Sequence, residues 1–200
     1  NPTGGPYPKE DLMLVARLAR QRDLLILSDD IYDNFVFDAP ACPCMGQLYE
    51  KTFTFGGFSK GCAMTGWRVG YAAGPREILQ QMTTLQQYTF SSVNSFAQKA
   101  AIKALDFKVD DYIREYKKKR DLIYEGLREK FQVQKPLGAF YIFPEVPGGN
   151  GEAFVERAIQ QNLFIIPGSV FSKRNTHVRI SFAASDEMLL KGIEVLNRIS

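Results

Sequence analysis

Two hundred residues, 45% of them apolar, can bury a sizeable core, which excludes a disordered chain. Twenty-five basic against 22 acidic side chains give a formal charge of +3, too even and too dispersed to call for nucleic acid or a membrane surface as partner. No apolar run approaches the ~20 residues of a membrane span. The opening Asn1-Pro2-Thr3-Gly4-Gly5 carries neither the basic start nor the apolar segment of an export signal, so a cytoplasmic setting is expected. It is also a turn signal with no element before it, and the chain reads as a fragment.

Pro8 occupies the start of a first helix, with Glu10 and Asp11 at its positive end and Leu12, Val15, Ala16 and Ala19 at helical spacing. The apolar run Leu24 to Leu27 follows as a strand of the kind a parallel sheet buries on both faces. Further strands are predicted at Thr52 to Phe55, broken by Gly56-Gly57, and at Val69 to Ala73, closed by Gly74-Pro75. Helices follow over Glu77 to Tyr88 and Ser95 to Leu105.

A long helix is then predicted from Val109 to Phe131, with Val109, Tyr112, Ile113, Tyr116, Ile123 and Leu127 on one face. At 1.5 Å per residue it would span about 35 Å, enough to bridge two lobes. Lys117-Lys118-Lys119-Arg120 within it reads as a solvated face. The last third alternates short strands (Ala139 to Phe143, Leu163 to Ile166, Val178 to Phe182) with helices at Glu152 to Gln161 and Asp186 to Ile199. That pattern suggests a small α/β lobe.

Cysteine and histidine usage narrows the chemistry. Cys42, Cys44 and Cys62 are an odd count that fits a reducing compartment, and Cys42-Pro43-Cys44 lacks the spacing of a thioredoxin-type motif. With His177 the one histidine, no metal site and no histidine-based triad is expected.

Polar groups gather instead near predicted strand ends, where open parallel sheets bind ligands. Asp29 and Tyr32 follow the first strand; Asp29 and Asp30 could equally cap the next segment. Ser59 and Lys60 follow Gly56-Gly57. A lysine held on such a turn can attack a carbonyl and form a Schiff base once its pKa falls, although a lone surface lysine has the same appearance. The Walker and dinucleotide glycine patterns are both absent. Arg68, beside a Trp67 expected in the core, and Arg179 sit in apolar surroundings, where a guanidinium needs an anion: a ligand's phosphate or carboxylate, or a structural ion pair. Together these groups would suit a ligand with a phosphate, a reactive carbonyl, a basic ring nitrogen and a carboxylate.

Pyridoxal phosphate carrying an amino acid is such a ligand, and the chain resembles the class I/II aminotransferases of the aspartate aminotransferase fold. The resemblance runs over essentially all 200 residues in one order. Asn1-Pro2-Thr3-Gly4 and Asp29-x-x-Tyr32 come first, then Ser59-Lys60 with Met64-Thr65-Gly66-Trp67-Arg68-Val69-Gly70-Tyr71. Gly138-Ala139-Phe140-Tyr141, Pro167-Gly168-Ser169-x-Phe171 and Arg179-Ile180-Ser181-Phe182-Ala183 complete it. One departure stands out: Gly57 occupies the place where the family usually has a second serine, at the loss of one phosphate hydrogen bond, a net ~0.5–1.5 kcal/mol.

The resemblance implies an α/β fold: the back half of a mostly parallel large-domain sheet with flanking helices, over residues 1–112, and a small α/β C-terminal domain over 113–200, joined by the long helix. It implies that Lys60 binds the cofactor aldehyde as a Schiff base and moves the proton at the substrate Cα. Asp29 would pair with the pyridine nitrogen. Asn1 and Tyr32 would hold the phenolic oxygen, Ser59 and Arg68 the phosphate, and Arg179 the substrate α-carboxylate. An amino acid and a 2-oxo acid would be the substrates and a homodimer the assembly. Tyr141 could be a pocket wall or a core aromatic. Since family members run to roughly twice this length, a cut sheet with an exposed apolar edge is expected, and weak or no turnover from the piece alone. The same residues would also serve an elimination enzyme such as a carbon–sulfur lyase; a non-catalytic interaction module is the alternative of another class.

Overall fold

A computed structural model describes residues 1–38 and 43–200. Cys42 therefore lies outside the described residues, and with it the Cys42/Cys44 spacing. Among the described residues, seven α-helices and six strands fall into two compact units. One unit comprises Pro6–Val36 and Pro40–Val109; the other comprises Asn1–Gly5, Phe37–Ala39 and Asp110–Ser200. Among the described residues no helix is long and apolar enough to cross a membrane, and no group of three or more His, Cys, Asp or Glu side chains could hold a metal ion.

The first unit is built on a mixed three-stranded sheet, in the order β1 (Ile26–Asp29), β2 (Thr52–Gly57), β3 (Gly70–Ala73). β1 and β2 run parallel, with Asp29 opposite Phe55; β2 and β3 run antiparallel, with Gly57 opposite Gly70. Helix α1 (Lys9–Arg22) buries Ala16 and Ala19 with Leu12 against Ile26 and the short α2 (Met45–Leu48). Val15, expected on that face, is exposed. Asp23 closes α1 in the left-handed conformation and the Leu24 N–H returns to the Ala19 carbonyl, so the strand starts two residues later than the apolar run. Leu24, Leu25 and Leu27 are exposed rather than buried on both faces: α1 and α2 cover the Ile26 side of the sheet, Leu27 faces the opposite side, and Leu24 and Leu25 precede the strand. Helices α3 (Arg76–Thr89) and α4 (Ser95–Leu105) follow; α4 starts where Asn94 accepts from the Phe96 N–H and packs Ala97 and Ala101 on Met64 and Val69.

The second unit centres on α5 (Asp110–Leu127) packed against α7 (Asp186–Ile199). A Cβ on Gly126 would meet the Ile193 side chain at 2.7 Å, so glycine sets the closeness of that crossing. α5 stops at Leu127, four residues before the predicted end, and the following turn is held by the Phe131 N–H to the Leu127 carbonyl. Its lysine–arginine run is not one solvated face. Lys117 and Lys118 are exposed, but Arg120 is fully buried, because it shares the helical stripe of Tyr116, Ile123 and Leu127. Tyr112 points to solvent instead.

The sheet of this unit is antiparallel, in the order β4 (Tyr141–Ile142), β6 (Val178–Ser181), β5 (Ile166–Pro167). α6 (Gly151–Gln160) carries an Asn150 cap, α7 a Ser185 cap. β5 is shorter and later than predicted. Asn162 turns left-handed and the Leu163 N–H still bonds back to the Ala158 carbonyl, which spends the first predicted strand residues on ending α6.

Candidate active site

Strand direction alone places five of the predicted residues at one end of the first unit's sheet. Asp29 is the last residue of β1, Ser59 and Lys60 follow the last residue of β2, and these strands are parallel. β3 runs the other way, so Arg68, two residues before its start, arrives at the same end. Tyr32 lies in the turn that leaves β1.

The β1 turn is held by the carboxylates themselves. Asp29 Oδ1 accepts from the Ile31 N–H at 3.3 Å, and the Ser28 hydroxyl donates to Asp30 Oδ1 at 2.7 Å. Asp29 therefore does cap the following turn while its side chain stays exposed. Tyr32 is half-buried, edge-on to the buried Phe35 ring at 6.5 Å. Desolvation, with the Asp30 charge adding to it, raises the Asp33 carboxyl above its usual value. Burial first, then the charges of Asp33 and Asp30, raise the Tyr71 phenol.

Past β2 the backbone folds tightly: the Cys62 and Met64 N–H groups both reach the Phe58 carbonyl, and the Ala63 N–H reaches that of Lys60. Ala63 and Arg68 are both left-handed at φ 52°, a conformation that costs a non-glycine residue about 1 kcal/mol or more. Thr65 joins the two ends of the loop. Its hydroxyl donates to the Ser59 carbonyl at 2.9 Å, and its own carbonyl accepts from Arg68 Nη1 at 3.0 Å. Sequence reasoning placed Thr65 in a motif without seeing this brace. Ser59 and Lys60 are half-buried. Arg68 and Trp67 correct the expectation of buried core residues: both are exposed, Trp67 edge-on to Phe96 at 6.4 Å. No buried charge forces Arg68 to find an anion; its hydrogen bond to Thr65 leaves the rest of the guanidinium able to meet one.

Two predicted residues belong to the second unit. Arg179 lies within β6 and donates from Nη1 to Asn1 Oδ1 at 2.8 Å. Its guanidinium carbon lies over two aromatic rings, Tyr141 at 4.4 Å and Phe171 at 4.6 Å. Tyr141 is buried, so both sequence readings meet in one residue: a core ring that is also the wall of an arginine site. His177 stacks on Phe143 at 5.0 Å and contacts the Thr176 hydroxyl.

Both units, and the order of these residues along the chain, are shared with solved aspartate and aromatic aminotransferases. Residues 1–196 match the family model for aminotransferase class I and II, and the chain belongs to that family. It is 37% identical over its whole length to the probable aspartate aminotransferase of Methanocaldococcus jannaschii, covering 56% of that protein. It is 36% identical to aromatic-amino-acid aminotransferase 2 of Thermococcus litoralis, again over its whole length and 54% of the relative. The crystal structure of an aromatic aminotransferase from Pyrococcus horikoshii superposes with a TM-score of 0.95 at 34% identity, over the whole of this chain and 57% of that one. An aspartate aminotransferase from Thermotoga maritima gives 0.93 at 32%, over 99% and 53%. The chain spans about half the length of the curated relatives it matches.

Proposed function

We propose that the protein to which this chain belongs is an aminotransferase using pyridoxal phosphate, which moves an amino group between an amino acid and a 2-oxo acid. The observation that supports it best is the sharing of one sheet end by an amine (Lys60), a carboxylate (Asp29), a hydroxyl (Ser59) and a guanidinium (Arg68). The chemistry of this donor set fits the cofactor group by group: a cation and a hydroxyl for its phosphate, a carboxylate for its ring nitrogen, an amine for its aldehyde. When bound, the cofactor supplies that aldehyde and an electron-withdrawing ring that stabilises negative charge at the substrate Cα.

The chain's residues do the rest. Asp29 would pair with the ring nitrogen and keep it protonated. Lys60 Nζ would hold the cofactor through its aldehyde and, once the substrate's amino group has displaced it, the free amine would carry the proton to and from the substrate Cα. Ser59 and Arg68, braced through Thr65, bind phosphate oxygens. Tyr32 and Asn1 donate to the phenolic oxygen, favouring its ionised form. Arg179 forks onto the α-carboxylate and so fixes which Cα bond faces the ring. A second copy of the chain is the protein partner this reading calls for.

Absorbance tests it directly. Pyridoxal phosphate added to the chain should give a protein-bound visible band that borohydride fixes on Lys60, and the Lys60→Ala variant should lack it. A band that survives the substitution, or label recovered on a different lysine, would remove Lys60 from the mechanism.

A further inference from the structure

Arg179 has an unusual set of neighbours. It is half-buried, yet among the described residues no carboxylate pairs with it and the one hydrogen-bond partner of its side chain is the neutral amide oxygen of Asn1. The rings of Tyr141 and Phe171 take up the charge instead, each within 4.6 Å of the guanidinium carbon. All four residues belong to the second unit. The rings are themselves fixed. Tyr141 is in β4, paired with β6, and meets Phe140 at 4.8 Å; Phe171 meets Phe143 edge-on at 6.3 Å, and Phe143 stacks on His177. A guanidinium is weakly hydrated over its faces and donates all its hydrogen bonds in its own plane. Two rings over the carbon therefore leave the charge uncompensated by any anion while fixing where its N–H donors lie.

We propose that Tyr141 and Phe171 are positioning residues: a two-ring clamp that holds the Arg179 guanidinium ready for an incoming carboxylate. The proposal rests on the reading of Arg179 as the carboxylate anchor. A free arginine loses side-chain entropy each time it orders around a ligand; a clamped one has met that cost during folding, and the saving appears as tighter carboxylate binding. The clamp acts through ring faces, so a conservative ring exchange preserves it and an aliphatic residue of similar bulk does not.

Two measurements on the chain itself decide the matter, and neither needs cofactor or turnover. The first is the Arg179 Nε–H signal in a 1H–15N spectrum, identified by its loss in Arg179→Lys; ring currents displace it in the native chain. The second is its titration with succinate at constant ionic strength. Succinate should move this signal, and Arg179→Lys should abolish binding. Tyr141→Leu and Phe171→Leu should each return the signal toward the ordinary arginine position and weaken succinate binding about three- to tenfold. Tyr141→Phe and Phe171→Tyr should stay within about twofold of wild type. Because Tyr141 is buried, Phe171→Leu, at a half-buried site, decides if Tyr141→Leu fails to fold. Leucine variants that bind succinate as wild type does, while Arg179→Lys does not, would overturn the clamp and leave Arg179 as the anchor. A wild-type chain that does not bind succinate, or an Arg179→Lys variant that still does, would overturn the clamp and the role given to Arg179 together, with the Lys60 absorbance result unaffected.

Discussion

Removing the Asp38 carboxylate should destabilise the second unit by about 2–3 kcal/mol. Arg120 is fully buried in α5 and distributes its donors with little to spare. Nη1 donates to the Pro136 carbonyl at 2.8 Å and Nη2 to Asp38 Oδ2 at 2.5 Å. Nε lies 2.8 Å from Asp121 Oδ1 but is not aligned as a hydrogen bond. Asp38 is thus the one carboxylate that Arg120 engages by a formed hydrogen bond among the described residues. The lysine and then the arginine beside it, Lys117 first, hold the Asp38 carboxyl down from 3.8 to about 2. That drop corresponds to roughly 2.4 kcal/mol of preference for the charged form. Solvent around a carboxylate that is 40% exposed screens this to about 1 kcal/mol. Asp38→Ala also leaves Nη2 buried without an acceptor, and that desolvation penalty adds about 1–2 kcal/mol. Asp38→Asn keeps an acceptor and should cost about 1 kcal/mol.

The single tryptophan, Trp67, belongs to the other unit, so hydrogen exchange of the α5 amides is the assay rather than fluorescence. In a double-mutant cycle with Arg120→Met, which leaves no buried charge to strand, the coupling should reach about 1–2 kcal/mol. Because the folded pKa is depressed, this stability is present above about pH 4 and is lost as the pH falls towards 2; the Asp38→Ala variant should lose correspondingly less over that range. Additive single-variant effects, within about 0.5 kcal/mol, would refute the reasoning, since the two side chains would then act independently.

Two further substitutions probe the same unit. Gly4 sits at φ +70°, where a Cβ would come within 2.7 Å of Pro136 Cβ and 2.9 Å of two carbonyl oxygens; Gly4→Ala should cost about 2 kcal/mol or more, read by the same exchange measurement, and a neutral result would mean the turn relaxes freely. Ser185 caps α7 by accepting from the Met188 N–H at 3.3 Å, so Ser185→Ala should cost about 1 kcal/mol and Ser185→Asp should restore it, seen as faster and then recovered exchange at the first turn of α7.

Helices were the most legible part of the sequence, because their signals are local. α4 and α7 start and stop where Asn94, Ser185 and the apolar spacing place them. Strand ends were less so: β1 and β5 begin late because Asp23 and Asn162 adopt left-handed turns that no apolar run announces. The buried Arg120 was readable in principle. It falls four residues after Tyr116 and three before Ile123, and a charge on the buried stripe of a helix signals a network; counting it with its lysine neighbours concealed that. The exposure of Leu25 and Leu27 depends on which side of the sheet is covered, which periodicity cannot report. For the site, the residue types and order were legible, but the Thr65 brace and the rings over Arg179 come from contacts distant in sequence.

The end of the sheet constrains this chemistry more firmly than any single side chain does. Residues 29, 59, 60 and 68 share that end because β1 and β2 are parallel and β3 returns antiparallel, with Gly57 opposite Gly70. A slip of one residue in pairing would keep them at the same end and only turn side chains from one face to the other. β2 and β3 approach closely at this end: a Cβ on Gly70 would lie 2.9 Å from the Gly56 carbonyl oxygen, and one on Gly57 would lie 3.1 Å from Ile31 Cδ1 and 3.3 Å from Gly70 Cα. Gly57 is thus closely packed where the family resemblance calls for a serine, and a Cβ there would make the end of the Ile31 side chain and the Gly70 backbone give way slightly. A serine there would press on Ile31 in the turn that carries Tyr32; on the proposed reading the phosphate hydrogen bonds left to this chain would fall to Ser59 and Arg68, and the Thr65 brace that ties them together would carry correspondingly more of the grip.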